Sequence, residues 1–197
     1  KTEAPELIRS IAEISKEGLD IMSKQAATAA VLLEAVDRPD PDPAFSCEVG
    51  RRFMFGVLGM PVNSVKAREH LHAAFEADSA VAGALLARMY RRGEGGPKDL
   101  DFADEAAFVA MELGISVLAD EGSYIPQHCL AMFYHHGMGG VPRSAIRAVQ
   151  YLEASANQNY APAQCQLATR LMAGHGTDTM DRHMALKLYQ HAADQDL

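Results

Sequence analysis

No stretch of about eighteen consecutive apolar residues occurs in the 197-residue chain, so no segment is built to cross a bilayer as a helix. The longest apolar region, Ala26 to Val36, is interrupted by Thr28 and Glu34. Cysteine is scarce. Cys47, Cys129 and Cys165 are odd in number, widely spaced and without a Cys-x-x-Cys pair. Each falls among apolar or small residues, where a buried free thiol behaves as a small hydrophobe; one disulfide would be possible, with partners the spacing does not choose. Basic charge is also in deficit, with 18 Lys and Arg against 26 Asp and Glu and a formal net charge of −8. That balance argues against a broad phosphate-binding surface and so against nucleic acid as a partner.

Signatures of catalysis and cofactor binding are missing too. There is no His-Glu-x-x-His, and no Ser, His and acid arrangement stands out from the rest. The glycine clusters GEGG, GMGG and GHG are not followed by Gly-Lys-Ser/Thr and do not follow an expected strand, so they read as helix turns rather than phosphate cradles. His70 and His72 are two apart and point to different sides of a helix, while His135 and His136 are adjacent, so neither pair makes a chelating face. His128 and Cys129 could meet Cys165 and His175 of the next unit only through the tertiary fold. Carboxylate pairs such as Asp120 and Glu121 sit at a helix end, where solvation accounts for them. The reading is therefore of no catalytic residue, no metal ligand and no cofactor.

What is present is a core's worth of apolar residues, 48% of the chain, arranged with helical spacing. Residues 1–37 carry it at Leu7, Ile8, Ile11 and Ile14, then at Ile21 and Met22 after Gly18, then at Val31, Leu32, Leu33 and Val36. They are expected to form helices that cap the rest. Residues 38–43 form a connector in which prolines alternate with acids and no helix can continue. The chain begins at Lys1 without a methionine, which leaves room for a signal or lipid-attachment segment upstream; the compartment, periplasmic or cytoplasmic, stays open.

From residue 44 a period takes over. Phe53, Tyr90, Tyr134 and Leu171 are spaced by 37, 44 and 37 residues, the range of helical solenoid repeats. Four units follow, at about 44–79, 80–122, 123–159 and 160–197, packed as one domain. In each, a first helix stops at a glycine turn beginning at Gly56, Gly93, Gly137 or Gly174, and an alanine-rich second helix follows. The second unit is seven residues longer. Its apolar positions Phe102, Ala106, Val109, Leu113 and Val117 predict a second helix extended by two turns, bent at Gly114.

The pattern Ala-x-x-x-Leu-Ala-x-x-Tyr-x-x-Gly-x-Gly-Gly, followed by Ala-x-x-Tyr-x-x-x-Ala-Ala, resembles the Sel-one-like repeat, a relative of the tetratricopeptide repeat. Ala82, Leu86, Tyr90, Gly93 and Gly95 carry it in the second unit, Leu130, Tyr134, Gly137, Gly139, Ala148, Tyr151 and Ala156 in the third, and Ala163, Leu167, Gly174, Gly176, Ala185, Ala192 and Ala193 in the fourth. The first unit departs, with Val49, Phe53 and Leu58 at three of these positions. The resemblance implies an all-α fold, a right-handed α/α superhelix of antiparallel helix pairs, that binds other proteins. Bacterial members act as adaptors, signalling regulators, or immunity proteins that bind secreted effectors.

In the first helices, Leu86, Ala87 and Tyr90 face the core, which puts Leu85, Arg88, Arg91 and Arg92 on the opposite face. The matching positions are Glu48, Arg51, Arg52 and Phe55, then Cys129, Met132, His135 and His136, then Gln166, Thr169, Arg170 and Met172. Arg, Met and aromatic residues are favoured at recognition surfaces. The candidate partner-binding residues are therefore Arg51, Arg52, Phe55, Arg88, Arg91, Arg92, Met132, His135, His136 and Arg170. The expected function is a noncatalytic solenoid, a monomer or weak oligomer, that receives a protein partner of acidic or mixed surface on its concave face. A self-assembling scaffold would instead use the solenoid ends, where Leu186, Tyr189 or Ala193 would be exposed. An enzyme would require a deep pocket holding titratable groups from different repeats. If the N-terminal helices within 1–37 cap the array, deletion of residues 1–36 causes aggregation, measured by light scattering; a soluble truncation with an unchanged melting temperature contradicts the capping role.

Overall fold

A computed structural model describes residues 42–56, 61–177 and 180–195. The helices expected within 1–37 lie outside these residues, as does most of the connector. Among the described residues the regular structure is helical throughout: α1 Pro43–Phe55, α2 Ser64–Glu76, α3 Ala80–Arg92, α4 Leu100–Glu112, α5 Ile115–Asp120, α6 Tyr124–His136, α7 Ala145–Ala156, α8 Ala161–Ala173 and α9 Arg182–Ala193. Helices α1 and α2, α3 and α4, α6 and α7, and α8 and α9 pack as pairs, and the pairs stack in chain order into a helical solenoid.

Each pair is built from the same local instructions. The first helix stops at Gly56, Gly93, Gly137 or Gly174, in the left-handed region at φ 69°, 74°, 70° and 66°. The second starts at a polar cap: Asn63, Asp99, Ser144 or Asp181 accepts the backbone N–H three residues on. A further hydrogen bond ties the two ends together. The cap's own N–H donates to the carbonyl of the residue at the aromatic position, Asn63 to Phe53 at 2.9 Å, Asp99 to Tyr90 at 3.1 Å, Ser144 to Tyr134 at 2.8 Å and Asp181 to Leu171 at 3.1 Å. Because the carbonyl accepts, the ring is dispensable, which is why Leu171 serves as well as a tyrosine.

Two boundaries differ from the sequence reading. Pro43 is the first residue of α1 and not the end of the connector: Asp42 accepts the N–H groups of Ala44 and Phe45, and a proline at this position gives up no helical hydrogen bond. The long second unit has no single extended helix. Gly114, at φ 87°, ends α4, and the remaining residues make the separate short helix α5.

Successive pairs meet through backbone contact. A Cβ added to Gly95 would lie 2.1 Å from the carbonyl oxygen of Ser64, and one added to Gly176 would lie 2.4 Å from that of Ala145. Ser64 and Ala145 are the first residues of α2 and α7, so each turn rests on the start of the preceding unit's second helix. In the third unit the same contact, from Gly139, falls on Ala107, seven residues beyond the start of α4. Seven residues are about two turns, so the face presented is kept while the extra length lies ahead of the contact. The core beneath is built from Val49, Leu86, Leu130 and Leu167 of the first helices and from Leu71, Ala106 and Leu152 of the second.

At the last unit, Leu186 and Tyr189 are 64% and 38% exposed, whereas their counterparts in α7, Val149 and Leu152, are covered by α8. Replacing Gly95 by alanine combines a positive φ with a backbone collision and is expected to cost about 2–3 kcal/mol in a thermal or denaturant melt. Gly122, also at positive φ but with open space around it, is expected to lose only about 1 kcal/mol on the same change.

Candidate interaction cavity

The stacking divides the inner positions of the first helices into a filled part and an open part. In the filled part, Glu48 is shared by Arg51, through two hydrogen bonds of 2.8 and 2.7 Å, and by Arg52 at 2.6 Å. Arg52 is only 2% exposed. Phe55 packs edge-on against Tyr160 at 6.3 Å, and the Arg88 guanidinium covers the Phe55 ring at 4.8 Å while pairing with Glu94 at 3.3 Å. Leu85 is fully buried, so α3 is covered on both faces and not on one. His128 is enclosed here as well. Its ring meets Tyr160 at 5.3 Å, and burial, helped by the charges of Arg88 and Arg92, pushes it down to about 3.

The open part lies where α3, α6 and α8 end. A cavity of about 680 Å³ is lined there by Arg91, Arg92 and Lys98 from α3 and the turn after it, by Met132, His135 and His136 of α6, and by Gln166, Thr169, Arg170, Ala173 and His175 of α8 and its turn. Six of the ten residues singled out in the sequence come together at this cavity: Arg91, Arg92, Met132, His135, His136 and Arg170. The other four, Arg51, Arg52, Phe55 and Arg88, belong to the filled part. Lys98 was not singled out in the sequence, and His175 only beside His128, Cys129 and Cys165, because both follow the glycine turns, beyond the helical register used to choose the face. Gln166 and Thr169 were on that face but are not among the Arg, Met, His and aromatic types from which the candidates were drawn.

The local reason for these cations is plain. Arg91, Arg92, His135, His136 and Arg170 occupy the last turns of their helices, where unpaired carbonyls favour positive charge. They nevertheless exceed what the helix ends offset. Three helix ends carry roughly −1.5 charges together, against the four full cations Arg91, Arg92, Lys98 and Arg170. No carboxylate is among the lining residues, and Glu94, which reaches Arg92 at 3.5 Å, is shared with Arg88. Arg170 has no ion-pair partner among the described residues.

Histidine responds to this excess. Arg91 donates to Nδ1 of His136 at 3.0 Å, which requires that nitrogen to be unprotonated, and the His135 ring lies 4.3 Å from that of His136. Burial first, then the charges of Arg91, His135, Arg143 and Arg170, push His136 down to about 4; His135 is lowered for similar reasons. Gln166, on the wall, contacts Nε2 of His128 at 2.7 Å behind it. The thiols lie apart from the cavity and are unpaired. Cys47 and Cys129 are raised by burial to about 11 and about 12, whereas Cys165 is exposed, contrary to the expectation that all three are buried.

These features define an all-helical repeat array with a basic cavity at the ends of its first helices. The Sel1 repeat model matches residues 46–79, 80–103, 127–160 and 161–197, and the chain belongs to the Sel1 repeat family. The match passes over 104–126, which hold the rest of α4 and α5. Among solved structures the chain is similar to a protective antigen present in uropathogenic Escherichia coli strains that displays an SLR fold, at 20% identity and TM-score 0.43, covering 96% of this chain and 38% of that one. It is also similar to a Sel1 repeat protein from Oxalobacter formigenes, at 23% identity and TM-score 0.43, covering 95% and 82%. The chain thus spans well under half the length of the first of these. Comparison with curated proteins gives no match. Sel1 repeat proteins generally mediate protein–protein interactions.

The depressed histidines carry a sign. The unfolded chain takes up protons at the ordinary value near 6.5 while folded His128 and His136 do not, so their stabilisation is full above that value and is lost as the pH falls from about 6.5 toward about 4 and below. The melting temperature is expected to fall across that window. Arg91→Ala removes the nearest charge and is expected to raise the His136 pKa, read by imidazole NMR titration.

Proposed function

We propose that this chain is a noncatalytic interaction solenoid and that a protein partner enters the cavity at the ends of α3, α6 and α8 with a negatively charged segment. The observation that carries this reading is the lining itself: four permanent cations from the second and fourth repeats and no carboxylate, in a chain of formal net charge −8. Met132, between the basic groups, offers an adaptable apolar contact. Charge complementarity of this kind steers encounter and fixes register more than it adds affinity.

The cavity does gather titratable groups from several repeats, as an enzyme would need. Its chemistry points away from catalysis. The Thr169 hydroxyl donates to the carbonyl of Cys165 and sits 2.9 Å from the Tyr189 hydroxyl, so no base activates it. His136, with Nδ1 engaged by Arg91 and a pKa near 4, is a poor base at neutral pH. An adaptor and an immunity protein against a secreted effector would both use such a cavity; rescue of toxicity on co-expression with a neighbouring gene's product distinguishes the second.

Replacing Arg91 and Arg170 together by Glu reverses charge on two walls of the cavity. Binding of a capped pentaglutamate peptide, followed by fluorescence anisotropy at low salt, is expected to weaken at least about tenfold while the circular dichroism spectrum is unchanged. Retained binding in a folded double variant would remove the cavity from the proposal. Arg88 is unsuited to this test because it holds Phe55 and Glu94.

A further inference from the structure

The basic cavity leaves open which anion it takes and what happens to its histidines when the anion arrives. Three features of the site bear on both questions. The first is the nature of the donors. Helix C-termini, not N-termini, end at the cavity, so it lacks the convergent backbone N–H groups that cradle phosphate, and its donors are side chains distributed over three helices. The second is its span. Its lining runs from α3 through α6 to α8, the first helices of three successive repeats, and at about 3.3 Å per residue an extended peptide of several residues is needed to follow it. A peptide carrying several carboxylates matches that row, whereas a single compact anion meets only part of it.

The third feature is the crowding of neutral histidine among fixed cations. His135 and His136 are faced by Arg91, Arg92 and Lys98 from α3 and its turn, by Arg143 after α6, and by Arg170 and His175 from α8 and its turn. Glu94, the nearby carboxylate, is held by Arg88 and Arg92. With Nδ1 of His136 accepting from Arg91, the cavity holds His136 neutral, and the same surrounding charges disfavour a positive His135. Carboxylates placed among them reverse the local field, and a second positive charge becomes favourable where it was opposed.

We infer that the cavity receives an extended, carboxylate-rich peptide segment and that His135 and His136 take up protons as it binds. The inference rests on the interaction reading above and adds the ligand's chemistry and its coupling to pH. On protonation the His136–Arg91 hydrogen bond breaks, because Nδ1 becomes a donor, and both the Arg91 guanidinium and the imidazolium are released toward the incoming carboxylates. Glutamate side chains ionise near 4.3, so the ligand keeps its charge throughout the range in which the histidines gain theirs.

The test uses the full chain and capped pentaglutamate, with pentaglutamine as the uncharged control, by isothermal titration calorimetry in buffers of different ionisation enthalpy. Binding at pH 6 is expected to take up about one proton per peptide, and affinity at pH 7.5 to be about five- to tenfold weaker. His135→Gln with His136→Gln leaves an acceptor for Arg91 and is expected to abolish the proton uptake, so that affinity no longer rises between pH 7.5 and pH 6. Binding without proton uptake, or a double variant that keeps the pH dependence, overturns the coupling and leaves the interaction reading standing. Pyrophosphate displacing the peptide at equal concentration overturns the carboxylate assignment. Failure of the folded wild type to bind the peptide at either pH overturns both this inference and the acidic-segment reading beneath it.

Discussion

Stacking in this solenoid depends on backbone approaching backbone where Gly95, Gly139 and Gly176 meet the carbonyls of Ser64, Ala107 and Ala145. A side chain at any of these points would hold neighbouring units apart, and every contact built on the stack would shift with it. The turn that presents the glycine is itself fixed by the hydrogen bond from each cap residue to the carbonyl at the aromatic position. Both contacts are made by main chain. They tolerate changes in the surrounding side chains, which is why the leucine-bearing last unit closes the same turn and the worn first unit keeps the same bond from Asn63 to Phe53.

Close stacking has a consequence for the charges carried by the first helices. Glu48, Arg51, Arg52 and Arg88 are drawn into an interior where a lone ion would be costly: Glu48 is shared by two arginines and Arg88 takes Glu94 and the Phe55 ring, while Nη1 of Arg52 and Nε of Arg88 are buried without a hydrogen-bond partner. The packing leaves little of the three arginines on the accessible surface. At the helix ends the stack opens, and there the positive groups are supported by helix dipoles and solvent but by few acids. The filled and open parts of the same face thus differ in how charge is compensated, by carboxylate in one and by helix dipoles and solvent in the other.

Insertion in the second unit shows how the array absorbs length. Seven residues bring α4 two turns further along its own axis before Gly139 meets it, so the contact face is preserved, and Gly114 then ends the helix so that α5 can lead into α6. The apolar pattern through Phe102, Ala106 and Val109 carried the first half of this outcome. The break needed more than pattern, since a glycine within a helical run can be tolerated or can turn left-handed, and the neighbours decide which.

The sequence by itself determined the units and their turns, because Leu86 and its counterparts, the glycines and the polar caps act within a few residues of where they stand. It also determined the surplus of arginine and histidine at the first-helix ends, since those residue types are written into the last turns. Only the tertiary structure decided that Arg51, Arg52, Phe55 and Arg88 are consumed in packing while Arg91, His136 and Arg170 meet Lys98 and His175 around one cavity. The reason is physical. Helical periodicity says which way a side chain points, but whether it meets solvent, an acid or a ring depends on how closely the next unit stacks, and that distance is set by backbone contacts between residues some thirty positions apart.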